Sequence, residues 1–327
     1  MSLSATLNAP RKDTYVLPDT LSRWPWLRRF NPSYEETKIE SSRWICGFDA
    51  FSPKAQNAFE RCDFTQLRVA CDMLQLFFVF DEYSDPEPEV AVRKMATAIM
   101  NGMTCSNVSD GHVLNEISRQ FWERATTVCD PKTQDRFIES FRAYTDAVVQ
   151  QARDRDCATV RDVTEYFIVR RHTIGTIPCF VLLQLDMHLP DSVTNHPYIV
   201  ELETLATDMI ILCNDLYSYN VEQARGDDTH NILTIVQLQY NLDLDKALLW
   251  LDEYHGRLVT AFLDAKRTLP SFGPTYDTEM SKYVDGLGNW VRANESWSFE
   301  SHRYFGSHGL EIQRQRRVHL LPKMRPL

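Results

Sequence analysis

An all-α chain folded as one helical domain is what this sequence predicts, and three observations carry that prediction. Glycine is scarce, at 11 of 327 residues, where average usage of roughly 7% would give about 23; the turn-rich β folds and dinucleotide-binding folds consume glycine. Apolar residues recur at helical spacing over most of the chain after residue 53, while alternating strand patterns are scarce. No composition break, low-complexity block or fixed-period repeat marks a boundary, so 1–327 read as a single domain.

The elements follow in order. Residues 1–53 are punctuated by Pro10, Pro18, Pro25, Pro32 and Pro53, and read as an extended strap with short turns. Ser52-Pro53 offers an N-cap and first helical position. Helices are expected over 54–80 and onward past 81, then 89–103, 111–128, 132–154 after Asp130-Pro131, 160–177, 192–224, 229–240, 243–268 and 277–299. The last segment, 311–327, carries Arg314, Arg316, Arg317, Lys323 and Arg325 and reads as a solvated basic tail.

Composition narrows the function. A net charge of −10, from 35 basic and 45 acidic residues, disfavours non-specific nucleic-acid binding, which needs a positive surface. Eight cysteines lie at 46, 62, 71, 105, 129, 157, 179 and 213 with no C-x-x-C, poor spacing for zinc and for a disulfide framework. The N-terminus has no signal-like apolar stretch. The longest apolar segment, Met73 to Phe80, is interrupted by Gln75 and is far shorter than the roughly 20 residues that span a bilayer. A soluble protein of a reducing compartment, cytoplasmic and without a membrane span, is the expectation, as monomer or homodimer. Phosphate-loop, dinucleotide, zincin, serine-hydrolase and EF-hand signatures are all missing.

Two polar clusters stand out. In Phe77-Phe78-Val79-Phe80-Asp81-Glu82-Tyr83-Ser84-Asp85 an apolar helix abruptly presents carboxylates. Asp81 and Asp85 lie one turn apart on one face and repel each other unless a cation sits between them. A helix end reaching solvent before Pro86 explains the same residues. In the second cluster Asn214, Ser218 and Glu222 fall at i, i+4 and i+8 after the apolar run Met209–Cys213. An amide, a hydroxyl and a carboxylate in a row are hard ligands suited to Mg²⁺. Two facing stripes of this kind attract metal, and the metal then accepts a diphosphate that bare acids repel. Arginine would complete such a clamp, because its planar fork bonds two phosphate oxygens. The candidates are Arg170-Arg171 and Arg303-Tyr304, each of which reads equally as ordinary surface charge.

Together these residues resemble a class I terpene cyclase, specifically the sesquiterpene synthases of mushroom-forming fungi. Asp81-Glu82-x-x-Asp85 matches the aspartate-rich motif with Glu second. Asn214-Asp215-x-x-Ser218-x-x-x-Glu222 matches the second metal-binding triad, and Asn220 to Asp228 continues it in fungal form. Arg303-Tyr304, about eighty residues later, matches the late diphosphate-binding pair. The resemblance implies a helical bundle around a central apolar cavity, three Mg²⁺ ions and a farnesyl diphosphate substrate. It assigns metal contact to Asp81, Asn214, Ser218 and Glu222, with Asp85 beside them, and diphosphate contact to Arg170, Arg303 and Tyr304. One departure matters: many relatives carry a lysine just before the triad glutamate, and Val221 stands there. Arg225, about 20° around a helix from Asn214, is the replacement we consider.

Arg170-Arg171-His172-Thr173-Ile174-Gly175-Thr176-Ile177-Pro178 reads as a helix with a fault, because Pro178 removes the partner of the Ile174 carbonyl and Gly175 loosens the turn. That carbonyl is a candidate for steadying carbocations, with Arg170 sensing diphosphate and Thr173 linking the two; a water-capped proline kink is the plain alternative. Phe77, Phe78, Phe51, Trp290 and Trp297 are candidates to line the cavity, since aromatic faces attract cations. The rival readings are an acyclic nerolidol- or linalool-type alcohol synthase taking farnesyl or geranyl diphosphate, a chain-elongating prenyltransferase, and a non-catalytic helical binding protein. A prenyltransferase should carry a second aspartate-rich motif where this chain has Asn214, Ser218 and Glu222.

Overall fold

The computed structural model describes residues 13–29, 34–50, 68–105 and 111–324. The expected start of a helix at 54, with Pro53 and Phe51, lies outside them, as do Pro10, Pro32, Cys62 and Arg325. Helices α1 (Tyr34–Cys46), α2 (Arg68–Ser84), α3 (Glu89–Thr104), α4 (Val113–Ala125) and α5 (Pro131–Asp156) come first. They are followed by α6 (Val163–Thr173), α7 (Thr176–Leu182), α8 (Asp191–Thr194) and α9 (Pro197–Arg225). Last come α10 (Ile232–Tyr240), α11 (Leu244–Arg267), α12 (Pro274–Glu300), α13 (His302–Phe305) and α14 (Gly309–Gln315). No described helix is long and apolar enough to cross a membrane.

Start signals explain several of these bounds. Asp130 accepts from the backbone N–H groups of Lys132 and Thr133 at 2.9 and 3.0 Å, with Pro131 in the first position. Asp162, Asn231 and Asp243 cap α6, α10 and α11 in the same way. The centre of the bundle is α9, whose Met209–Cys213 turns are apolar on every side and buried on every side. It packs against α11 and α12 on one flank and α6 and α7 on the other.

Three expectations need correction. The helix expected over 160–177 is two helices, broken at Ile174-Gly175. Pro178 is not the fault: it sits in the first turn of α7, where an N–H has no helical partner to lose. The break is made by Gly175 in the left-handed region, at φ 72°, a conformation that costs a residue with a Cβ about 1–2 kcal/mol. The expected helix 192–224 divides at Asn195-His196 into α8 and α9.

The third correction concerns the tail. Arg317–His319 pairs antiparallel with Thr14–Val16 of the strap, with Val318 opposite Tyr15 and both buried. Arg316 bonds Asp19 at 2.8 Å and Glu295 at 3.3 Å, and Arg292 holds the other oxygen of Glu295. A buried carboxylate needs such partners, so this part of the tail is drawn inward rather than solvated. The strap is fastened along α12 as well: Trp24 donates to the Gly288 carbonyl at 2.9 Å, and Trp26 lies so close that a Cβ at position 288 would fall 2.2 Å from its ring.

Candidate active site

The first stripe sits at the open end of α2. That helix runs through Asp81 to Ser84, so Asp81 is helical, and the Asp85 N–H still bonds the Asp81 carbonyl at 3.0 Å. Asp81 accepts from Arg303 at 2.8 Å, and the Arg303 guanidinium lies 5.1 Å from the centre of the Phe78 ring. Asp85 is on the exposed rim. Its carboxyl is held above the usual carboxylate range by lost hydration first and by the like charge of Asp81 next, with Arg155 and Arg303 opposing. Asp227, just past the end of α9, also bears on it.

The second stripe is inside. Arg170 of α6 donates from Nη2 to Asn214 Oδ1 at 2.7 Å and to Asp215 Oδ1 at 3.2 Å. The second oxygen of Asp215 accepts from the Tyr166 hydroxyl, one turn before Arg170 on α6, and from the Ile232 N–H at 2.7 Å. Burial works against the charge on Arg170, but Tyr166, Asp215 and Glu222 outweigh it and hold its pKa above the ordinary value. Its Nε is buried without a partner, a donor left for an incoming acceptor. Ser218 is buried beneath Asn214. The Glu222 carboxyl is pushed up to about 7 by burial first and then by Asp215; an arriving cation would draw it back down.

The late pair joins the two stripes. While Arg303 holds Asp81, the neighbouring Tyr304 hydroxyl accepts from Asn214 Nδ2 at 3.0 Å. Tyr304 also lies within the fields of both Glu222 and Asp81. Asp81 on α2 and the Asn214 amide on α9 are therefore the two sides of a cleft bridged by two consecutive residues of α13.

Other candidates fall around this cleft with varied fit. Thr173 is buried and reaches Arg170 only at 3.5 Å, too long for a good hydrogen bond. The Ile174 N–H closes α6 on the Arg170 carbonyl at 2.9 Å, and no donor among the described residues bonds the Ile174 carbonyl. The break touches α2 directly, since a Cβ on Gly175 would meet Phe77 at 3.0 Å. Phe77 stacks on Phe141 at 5.4 Å and Phe78 on Trp297 at 5.6 Å. Trp290 lies two turns earlier on α12, and the indole nitrogens of both tryptophans are buried without partners. Arg171 is clamped on Asp208 at 2.7 and 2.8 Å, and of the Arg170-Arg171 pair it is Arg170 that reaches Asn214. Arg225 is exposed at the last turn of α9 beside Asp227, one turn from Glu222 but about 16 Å along the axis from Asn214.

Sequence reading missed the residues that hold the α9 stripe in place, Tyr166, Asp215 and Asn231, and His230, which packs against Tyr166. His230 is half-buried, with its Nε2 enclosed and unpartnered and its ring 5.2 Å from that of Tyr166, and lost hydration brings its pKa down to about 3. Only Asp215 lay in a quoted motif, and nothing in the spacing linked it to Tyr166, 49 positions earlier.

The donors suit a hard divalent cation. Asn214, Ser218 and Glu222 offer amide, hydroxyl and carboxylate oxygens, and Asp81 and Asp85 add carboxylates across the cleft. Among the described residues no group of three or more His, Cys, Asp or Glu side chains is placed to hold a metal ion by itself.

A family model described as terpene synthase family 2, C-terminal metal binding, matches residues 72–261. A Delta(6)-protoilludene synthase of Stereum hirsutum is 47% identical over 97% of this chain and 91% of its own length. A Delta(6)-protoilludene synthase of Armillaria gallica is 46% identical over 94% of each chain. Sesquiterpene synthase 14 of Postia placenta is 44% identical, covering 94% of this chain and 92% of its own. Among solved structures, germacradien-4-ol synthase from Streptomyces citricolor shares the fold at TM-score 0.74 and 20% identity, over 85% of this chain and 97% of that one.

Proposed function

Because the chain belongs to the terpene synthase family, we propose that it ionises farnesyl diphosphate and closes the allylic cation into a cyclic sesquiterpene. Delta(6)-protoilludene, the product named for its relatives, is the first compound to seek. The observation that carries this reading is the span of Arg303-Tyr304, with one side chain on Asp81 and the next on Asn214.

Asp81 and Asp85 on one wall and Asn214, Ser218 and Glu222 on the other would hold Mg²⁺, with three ions expected from the family resemblance. Bound there, the metal supplies Lewis-acid charge against the departing diphosphate. Arg170, Arg303 and Tyr304 give donors to the diphosphate oxygens, and Arg225 adds charge at the rim. Donors already fixed where charge develops lower the barrier to C–O cleavage without a protein nucleophile. Phe77, Phe78, Trp290 and Trp297 would then fold the cation against aromatic faces and keep water out. The bare Ile174 carbonyl, beside Gly175 and Phe77, would steady positive charge, with Thr173 between it and Arg170.

Incubation with farnesyl diphosphate and Mg²⁺, followed by headspace analysis, tests the reading. Volatile cyclic C15 products are expected, and they should vanish with a chelator. Longer diphosphates would mark a prenyltransferase, and no turnover a binding protein.

A further inference from the structure

We propose that Asn231 is a positioning residue for the metal centre: it fixes the carboxylate of Glu222 by tying it to the start of α10. The inference rests on the metal-dependent reading above and names a part of the site outside its ligand set.

The geometry is specific. Asn231 is fully buried, and its Nδ2 donates to two acceptors: the Asp215 carbonyl at 2.9 Å and Glu222 Oε2 at 2.9 Å. Its Oδ1 accepts from the Leu233 N–H at 2.9 Å and so caps α10. One amide thus spends both protons on α9, one at each end of the ligand stripe, and its oxygen on the next helix. Asp215 makes the complementary link, taking the Ile232 N–H at 2.7 Å.

The consequence for Glu222 is orientation. With Oε2 held by the Asn231 N–H at 2.9 Å and the Ser218 hydroxyl also bonded to the carboxylate, the Glu222 side chain cannot rotate freely. Partners of this kind around metal ligands are worth about 10–100-fold in metal affinity. The arrangement also reaches beyond the stripe: α10 begins where Asn231 and Asp215 meet, so the Glu222 carboxylate and the first turn of α10 are held as one unit. An N-cap alone requires none of this, since capping uses Oδ1 and leaves Nδ2 idle.

That difference supplies the test. Asn231→Asp and Asn231→Ser both keep a capping oxygen, and both lose the amide donor to Glu222. Asp243→Ala, at the start of α11, is the control for cap loss away from the site. Mn²⁺ binding in the presence of inorganic pyrophosphate, read by electron paramagnetic resonance, should weaken at least about tenfold in both Asn231 variants. It should stay unchanged in Asp243→Ala, whose thermal midpoint alone should fall. Wild-type Mn²⁺ affinity retained within twofold in Asn231→Ser and Asn231→Asp would overturn the proposal while leaving the metal reading intact. Failure of the wild-type protein to bind Mn²⁺ with pyrophosphate would overturn both.

Discussion

Asp81 and Asp215 each hold an arginine of the candidate site, in opposite surroundings. The Asp81–Arg303 pair, at 2.8 Å, is on the rim with side chains 45% and 32% exposed. The Asp215–Arg170 pair, at 3.2 Å, is sealed, with exposures of 2% and 14%. The rim pair can part at little cost, because water takes up both charges. The sealed pair cannot, because either charge left alone in the core lacks solvation. One wall of the cleft is therefore built to exchange partners and the other to stay put. A lid that closes on substrate needs both properties.

The largest effect that distinguishes the walls is on stability. Asp215→Ala should cost about 3–5 kcal/mol, since it strands the buried Arg170 guanidinium and removes the acceptor for Tyr166 and the Ile232 N–H. Asp81→Ala should cost less than about 1 kcal/mol and still lose turnover, through the metal contact proposed for Asp81. Urea unfolding midpoints compare the two directly. Equal losses would mean that the walls do not differ as described.

How much of this was readable in the chain follows the same division. Asn214, Ser218 and Glu222 announce themselves because a helical period places them on one face, and Asp81 and Asp85 do so for the same reason. Arg303-Tyr304 was recognisable through its order relative to them. Tyr166 and Asn231 were not: their roles depend on which side of α9 they meet, a matter of tertiary packing with no local signature. The break near Gly175 was legible, and Gly175 was named for it, but Pro178 was named as well, because a proline three residues into a new helix looks the same in sequence as one that ends an old one. The pairing of Thr14–Val16 with Arg317–His319 was unreadable, since three residues are too few to display alternation.

The elbow at Gly175 should behave as part of the fixed wall. Gly175→Ala forces a Cβ into a left-handed position and toward Phe77 at 3.0 Å. A loss of about 1–2 kcal/mol is expected, with a change in product distribution, because the shift is transmitted to Phe77. A stable variant with an unchanged product profile would remove the elbow from the site.

A smaller effect separates the walls by pH. Glu222 titrates near 7 in the folded chain, against an ordinary value of 4.5, so folding favours its protonated form. The stability it contributes is complete below the ordinary value and is lost as pH rises through about 7. Without metal, Glu222→Gln should therefore melt at a higher temperature than wild type at pH 8 and no higher at pH 4. The difference between the two proteins isolates this group from Glu203, which burial also raises to about 7. A gap that does not grow with pH would show that Glu222 is better solvated than its packing indicates.

The smallest expected effect belongs to Arg225, the exposed cation at the end of the fixed wall. It stands one turn beyond Glu222, where Val221 occupies the position at which the family resemblance led us to expect a lysine. An exposed charge acts at a distance through water, and its contribution is about 0.2–1 kcal/mol, no more than a fivefold weakening of pyrophosphate inhibition in Arg225→Ala. Added salt should shrink that difference, since screening acts most on exposed charges. If position 225 does the work of the missing lysine, Val221→Lys should restore pyrophosphate affinity in the Arg225→Ala background and add little to the wild-type protein. Equal gains in both backgrounds would show two independent charges, and Arg225 would then belong to the solvated surface beside Asp227 rather than to the site.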